Sequence, residues 1–180
     1  MENVNITTHG KWAGRFIWAA VIQGLIAVVV TVLIVEPWSI LNFGPNYFSP
    51  SKVIAGNGAG TWLFTGYISF LVVGVVATAV TAIFYFYIED IKGRAYKGFS
   101  SLLAWGHLLL MNIGVAGSMI IMMYQGYLAG VASANGESAG QIHVNILAWT
   151  VDPIGAFILV ACLGAILGGL GYFLRSASKN

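Results

Sequence analysis

Charged residues are scarce in this chain. Only 8% of its 180 residues are Asp, Glu, Lys or Arg and 58% are hydrophobic, whereas soluble domains carry about 25% charged residues. Too little polar surface is present to cover a globule in water, so we expect lipid to cover much of it. The net charge is only +2 and the basic residues are dispersed, which excludes the dense basic patch of a nucleic-acid-binding protein.

Cysteine is nearly absent, and several catalytic motifs are missing. The single thiol, Cys162, forms no disulfide within the chain and holds no zinc alone, so we interpret it as a packing residue. The sequence contains no Gly-rich phosphate loop after a strand, no His-Glu-x-x-His pair and no Gly-x-Ser-x-Gly elbow. Its three histidines are scattered, which argues against an oxidase-type copper centre.

Four long apolar runs dominate what is present. A helix needs roughly 20 residues to cross a bilayer core, and its backbone groups then bond internally. Residues 12–35, 62–88, 102–128 and 143–174 meet this requirement. The pattern predicts an all-α protein, a four-helix transmembrane bundle with antiparallel up-down-up-down topology, forming one membrane domain over residues 1–180.

The basic residues predict the orientation of these spans. With four spans, all lysines and arginines except Lys52 fall on one side, and that side is expected to be cytoplasmic. We therefore predict a multi-pass protein of the cell membrane with both termini in the cytoplasm. Aromatic residues at the predicted borders are expected to be interfacial anchors: Trp12, Trp38, Trp62, Tyr85, Tyr87, Tyr127 and Tyr172.

His107 is the most informative polar residue inside a span. At 3.6 residues per turn, Met111, Gly114, Ser118 and Met122 continue its stripe along the third span. A glycine beside a histidine leaves room for a flat ring, and a neutral imidazole is a natural axial ligand for haem iron. The pattern predicts that His107 binds a metal and that Gly114 contacts the cofactor. The alternative is a histidine bonded to a neighbouring helix, with glycine serving only packing.

His143 opens the fourth span and is a second candidate metal ligand, with Met122 a weaker one; the alternative is an interfacial histidine. His107 and His143 lie about 30 Å apart along an antiparallel pair of helices, so they would mark separate sites. His107 could instead pair with its own copy across a two-fold axis, or with His9 on the cytoplasmic side.

Three further features are candidates for function or assembly. Asp152 precedes Pro153, whose ring frees a carbonyl in the preceding turn, and its carboxylate could pair with Gln23 or Asn112; the alternative is a local kink. Gly164 and Gly168 form a small-residue pair that lets another helix approach closely. That helix could belong to this chain or to a second copy in a homo-oligomer.

The segment Trp105-Gly106-His107-Leu108-Leu109, continuing through Asn112, Gly114 and Gly117, resembles a haem-ligating helix of the haem-copper oxidase superfamily. It is most similar to the catalytic subunits of nitric oxide reductases and cbb3-type oxidases. In that family a His-x-His-Leu helix supplies axial ligands; here Trp105 stands at the first histidine position and only the second is matched. The resemblance covers about fifteen residues and implies that His107 ligates haem iron.

The sequence as a whole predicts a small membrane cytochrome of b type. Its cofactor would be haem b or a related tetrapyrrole, and it would transfer electrons between a quinone in the membrane and an external redox protein. Two alternatives remain open. One is a haem-free accessory subunit of a larger membrane complex, and the other is a small transporter or channel lined by Gln23, Asn112 and Asp152.

Overall fold

The protein is all-α, as predicted. A computed structural model describes residues 10–35, 48–56, 58 and 60–177, and every regular element among them is helical. The sequence features at His9, Trp38 and Lys179 lie outside the described residues. In chain order the described helices are α1 (Lys11–Val35), α2 (Pro50–Gly56), α3 (Gly60–Ile91), α4 (Phe99–Ala134) and α5 (Ala139–Ala177).

The helices α1, α3, α4 and α5 are each long and apolar enough to cross a membrane. No more than 28% of the most apolar window of any of them is buried, so most of their large apolar side chains face outwards. Among the most exposed are Trp18, Leu25, Leu159 and Phe173. This surface is compatible with a multi-pass membrane protein.

The helices α4 and α5 extend beyond the predicted spans 102–128 and 143–174. Membrane thickness sets the least length that a spanning helix needs, and local signals set where it ends. Gly98 and Gly136, with φ values of 56° and 90°, bound α4, and positive φ is accessible to glycine at little steric cost. At the start of α5, Ser138 and Gln141 form a reciprocal capping box.

Hydrogen bonds join the start of α1 to the end of α3, and the start of α4 to the end of α5. Glu89 Oε2 accepts a bond from Trp12 N at 2.9 Å. Arg94 Nη1 donates to Arg175 O at 2.9 Å, and Arg175 Nε donates to Ser100 Oγ at 2.8 Å. We call this end of the bundle, which carries Arg94 and Arg175, the basic end, and the opposite end the far end.

Glycines bring the helix backbones into contact along the bundle. A Cβ atom on Gly114 would overlap Ala161 N, and one on Gly164 would overlap Met111 N, so α4 and α5 touch at both points. A Cβ atom on Gly126 would overlap Leu63 N, so α3 and α4 touch nearer the far end. Small residues allow such close approach between helices in membranes.

Two of the long helices contain irregular turns. Wider π turns occupy Phe70–Val76 and Tyr87–Ile91 of α3 and His143–Leu147 of α5, where a 3₁₀ turn, Ala148–Thr150, follows. Pro153 lies just beyond these turns, where its missing N–H removes one helical hydrogen bond, as expected from a proline that frees a carbonyl in the preceding turn. Each π turn shifts the inward face of its helix, so a fixed period of 3.6 residues fails across it.

Candidate functional site

His107 faces the interior of the bundle. It lies eight residues into α4, about 12 Å from the start of that helix, and is only 9% exposed. Gly168 of α5 makes this position available, because a Cβ atom there would overlap the imidazole ring. Phe16 of α1 covers the ring from another side, with 5.0 Å between ring centroids. Three helices therefore hold the imidazole in one place.

Both ring nitrogens of His107 have partners. Nδ1 lies 3.1 Å from the hydroxyl oxygen of Tyr85, and Nε2 lies 3.2 Å from the sulfur of Met111, one turn further along α4. A hydroxyl is a strong hydrogen-bond partner and a thioether is a weak acceptor. The Nε2 side of the ring is therefore the side that can exchange its partner for a ligand more readily.

An aromatic cluster surrounds the histidine at the basic end. Tyr85 stacks on Phe16 with 4.7 Å between centroids and contacts Tyr96 at 4.9 Å and Trp12 at 6.1 Å. Burial raises the pKa of the Tyr96 phenol, and the charge of Glu89 adds to the rise, so this phenol stays neutral. The cluster presents hydroxyl groups without charge.

A cleft of about 380 Å³ lies against His107, between α3, α4 and α5. Cavities of this size are in the range of small-molecule sites. Phe84, which is 53% exposed, belongs to its wall, so the cleft reaches the outer surface of the bundle. The lining is mostly apolar and aromatic: Thr81, Phe84, Tyr85, Tyr96, His107, Met111, Ala165, Gly168, Gly169 and Tyr172.

Gly114 has a different neighbourhood from the one expected. The backbone of α5 at Phe157 and Ala161 fills the space beside it, so no room for a flat ring exists there. The space near His107 lies instead on the side of Gly168 and Gly169. Sequence periodicity along one helix did not indicate from which side the neighbouring helix approaches.

Met122 and His143 lie away from this cleft. Met122 packs against Gly66 of α3, since a Cβ atom added to Gly66 would lie 3.0 Å from the Cβ of Met122. His143 is exposed in the π turn of α5 at the far end. Among the described residues, no group of three or more His, Cys, Asp or Glu side chains could hold a metal ion. The side-chain nitrogen and sulfur donors in the cleft lining are the His107 imidazole and the adjacent Met111 thioether, and its other polar side chains are hydroxyls.

Of the three polar residues predicted to line a transport path, Gln23 and Asn112 meet and Asp152 lies apart from them. The side chain of Gln23 donates to that of Asn112 within the bundle. Asp152 is exposed on α5, so the predicted pairing of its carboxylate with either residue is wrong. Gly74 in the π turn of α3 makes room for the Gln23 carbonyl oxygen, which has no hydrogen-bond partner among the described atoms.

Gly164 and Gly168 face α4 of the same chain. Each would overlap α4 atoms if it carried a Cβ, Gly164 at the Met111 backbone and Gly168 at the His107 ring. Of the two readings that the sequence left open for this pair, the structure shows contact within the chain.

Sequence reasoning missed the aromatic partners of His107. Trp12 and Tyr85 were expected to be anchors at the lipid headgroups, but each is only 3% exposed and that expectation is wrong. The buried residues Thr78, Ala82 and Tyr85 recur at helical spacing along α3. That stripe of small residues ending in a tyrosine was the available signal for an inward-facing hydroxyl.

Comparison of the chain with protein-family models, with curated proteins and with solved structures finds no match.

Proposed function

We propose that the four long helices cross the cell membrane in an up-down-up-down arrangement, with both termini in the cytoplasm. The contacts that join the start of α1 to the end of α3, and the start of α4 to the end of α5, support this arrangement. From Arg175 to Asp152 is about 35 Å along α5, slightly more than the roughly 30 Å bilayer core. Asp152 would then lie at the external boundary, where an exposed carboxylate meets water.

Within this membrane domain, we propose that the protein is a cytochrome of b type whose haem, or a related tetrapyrrole, occupies the cleft beside His107. The observation that carries the proposal is the buried imidazole at the wall of the cleft, held at Nδ1 by Tyr85. Histidines that ligate metals commonly bond a second group through their other ring nitrogen. The haem would supply one-electron redox chemistry.

The residues present fit such a group on three counts. His107 would provide a nitrogen ligand to the iron, and a single histidine holds the haem iron in globins and peroxidases. Gly169 keeps side-chain bulk away from one wall of the cleft, since nothing lies within 4 Å of a Cβ added there. Met111 stands next to Nε2 and would have to rotate aside, which its flexible, unbranched side chain allows. Apolar walls would exclude water from the site.

The proposed activity is electron transfer between a membrane quinone and an external redox protein. The cleft reaches the outer surface of the bundle at Phe84, where a lipid-soluble partner would approach. Trp12, Tyr85 and Tyr96 pack between His107 and the basic end, so that side of the site is shielded by aromatic rings.

An absorption spectrum tests the cytochrome directly. The protein is purified from haem-sufficient cells as wild type, His107→Ala and His143→Ala, with folding checked by gel filtration and circular dichroism. Wild type and His143→Ala should show a Soret band that shifts on dithionite reduction, and His107→Ala should lose at least about 90% of it, because an axial ligand is removed. His143→Ala is the matched control, since the structure places that imidazole outside the cleft.

Two results would overturn the proposal: folded wild-type protein without colour, or a Soret band that survives unchanged in His107→Ala. If His107→Ala does not fold, His107→Gly purified with added imidazole replaces it. Recovery of the band with imidazole would support ligation by His107, and a folded, imidazole-supplemented variant that stays colourless would count against it.

A haem-free accessory subunit is the second candidate, and one observation favours it. Both ring nitrogens of His107 already have partners within the chain, which satisfies a buried histidine whose role is to join α3 to α4. Colourless protein that co-purifies with a larger membrane complex would support this candidate.

A further inference from the structure

We propose that Tyr85 is the positioning residue of His107. Its hydroxyl can donate a hydrogen bond to Nδ1 or accept one from it, and the change from donor to acceptor makes Nε2 available to a ligand in the cleft. The ligand in question is the haem of the proposed function, so the inference rests on that proposal. The hydrogen bonds on which it is based, however, are formed by the protein without any ligand.

The Tyr85 hydroxyl is held in place by its ring. Phe16 stacks nearly parallel to that ring, at 18°, and Trp12 and Tyr96 pack around it. The Tyr85 side chain is only 3% exposed. A ring fixed on several sides keeps its hydroxyl within reach of Nδ1, so the hydrogen bond from α3 helps to set the orientation of the imidazole.

The two partners of His107 define its protonation without a ligand. A neutral imidazole carries one N–H, and its other nitrogen is an acceptor. Met111 sulfur can only accept, so we assign the N–H to Nε2, donating to that sulfur, and the acceptor role to Nδ1, which receives the Tyr85 hydrogen. Every polar atom of this trio is then paired.

A ligand at Nε2 requires the opposite assignment. Binding of an iron would use the Nε2 lone pair, so the proton would then reside on Nδ1 and be donated to a neighbouring acceptor. The Tyr85 oxygen can accept it because a hydroxyl serves as donor or acceptor by rotation. The imidazole loses one N–H and gains one, so no proton enters or leaves the protein. A phenylalanine in place of Tyr85 could neither donate a hydrogen bond to Nδ1 nor accept one from it.

The cleft supplies a matched control. Tyr172 lines the same cleft and contacts Phe84 edge to face at 6.0 Å, whereas the ring nitrogens of His107 bond Tyr85 and Met111. Tyr172→Phe therefore removes one hydroxyl from the same wall without altering the bonds of His107. Tyr85→Phe removes the bond at Nδ1 and keeps the ring that packs on Phe16.

The first measurement uses ligand-free protein. Nitrogen-15 NMR of labelled histidine should show His107 of the wild type as one neutral tautomer with the proton on Nε2. Tyr85→Phe should keep that tautomer, because Met111 still accepts from Nε2, but it should shift the Nδ1 resonance, because that nitrogen loses its hydrogen bond. Tyr172→Phe should leave both ring-nitrogen resonances unchanged. A His107 spectrum that Tyr85→Phe does not alter would overturn the inference, and so would an equal change in Tyr172→Phe.

The second measurement titrates haem into wild type, Tyr85→Phe and His143→Ala. Removing a hydrogen-bond partner of a metal-bound histidine typically lowers affinity by about 10–100-fold, so we expect that loss in Tyr85→Phe and less than about 3-fold in His143→Ala, whose imidazole lies outside the cleft. Equal haem affinity in Tyr85→Phe and wild type would overturn the inference. Failure of the wild type to bind haem would overturn the proposed function instead, while the NMR result would still decide the bond between Tyr85 and His107.

Discussion

The regions around His107 and His143 contain the same kind of side chain in very different settings. At the basic end, Tyr85, Phe16 and Gly168 hold His107 against a cleft. At the far end, His143 projects from a π turn and is exposed. Both histidines open or interrupt an apolar run in the sequence. The difference shows that a polar residue in such a run is buried beside a cleft only where neighbouring helices converge on it.

Glycines at the two ends of the bundle also contact different kinds of atoms. At the far end, Gly126 lets the backbones of α3 and α4 meet, whereas at the basic end Gly168 admits a side chain, the His107 ring. Backbone atoms yield little and a side chain can rotate, so substitutions at the two positions should have effects of different size and kind.

The largest effect on stability is expected for Gly126→Ala at the far end. The added methyl group would overlap Leu63 N, and overpacking that the structure relieves only by moving backbone destabilises by about 3 kcal/mol. The helical propensity of alanine returns only about 1 kcal/mol of this. Unfolding free energy measured by SDS titration in micelles checks the result.

Gly140→Ala is the control for this substitution, because Gly140 lies on the same end with nothing within 4 Å of an added Cβ. We expect it to be neutral or slightly stabilising. Equal stability of the two variants would show that close contact between α3 and α4 does not hold the far end together.

Gly168→Ala should have an intermediate effect on stability and a selective one on the cleft. Its methyl group would displace the His107 ring, at a cost of about 1–3 kcal/mol, and would separate Nδ1 from Tyr85. Haem affinity should fall at least about 10-fold, as for loss of a hydrogen-bond partner of the ligand. Haem titration and NMR of His107 follow both changes.

Gly169→Ala is the control for Gly168→Ala, because it makes the same substitution at the next glycine of the cleft. Gly169 lines the same cleft, but nothing lies within 4 Å of a Cβ added there, so His107 should keep its place and its bond to Tyr85. If Gly169→Ala perturbs the His107 spectrum as strongly as Gly168→Ala does, then contact between Gly168 and the His107 ring does not explain the effect of Gly168→Ala.

The smallest effect is expected for Glu89→Gln, which tests how the basic end supports the aromatic cluster. Glu89 accepts the amide of Trp12 at 2.9 Å, and a neutral acceptor in place of a charged one should cost about 1 kcal/mol. Hydrogen exchange at the Trp12 amide should accelerate while exchange at the far end stays constant. Asp90→Asn, at an exposed neighbour, is the control and should change neither.

The inward orientation of His107 was predictable in part. The apolar run from 102 to 128 indicated a helix, and the cost of burying an unpaired imidazole in lipid indicated a partner inside the bundle. The identity of that partner was not predictable, because Tyr85 and His107 are 22 residues apart on different helices. π turns also lie on both sides of Tyr85 in α3, and such turns change the register of a helix in a way that a fixed period of 3.6 residues does not predict.

The sequence by itself determined that this protein is all-α, with four long apolar helices, because helix formation and the length of an apolar run are local properties of the chain. Only the tertiary structure decided which polar groups meet. It seated His107 on Gly168, closed the space beside Gly114 with α5 and left His143 exposed. The physical reason is that glycine permits close approach from any side, and the packing of the neighbouring helices alone selects that side.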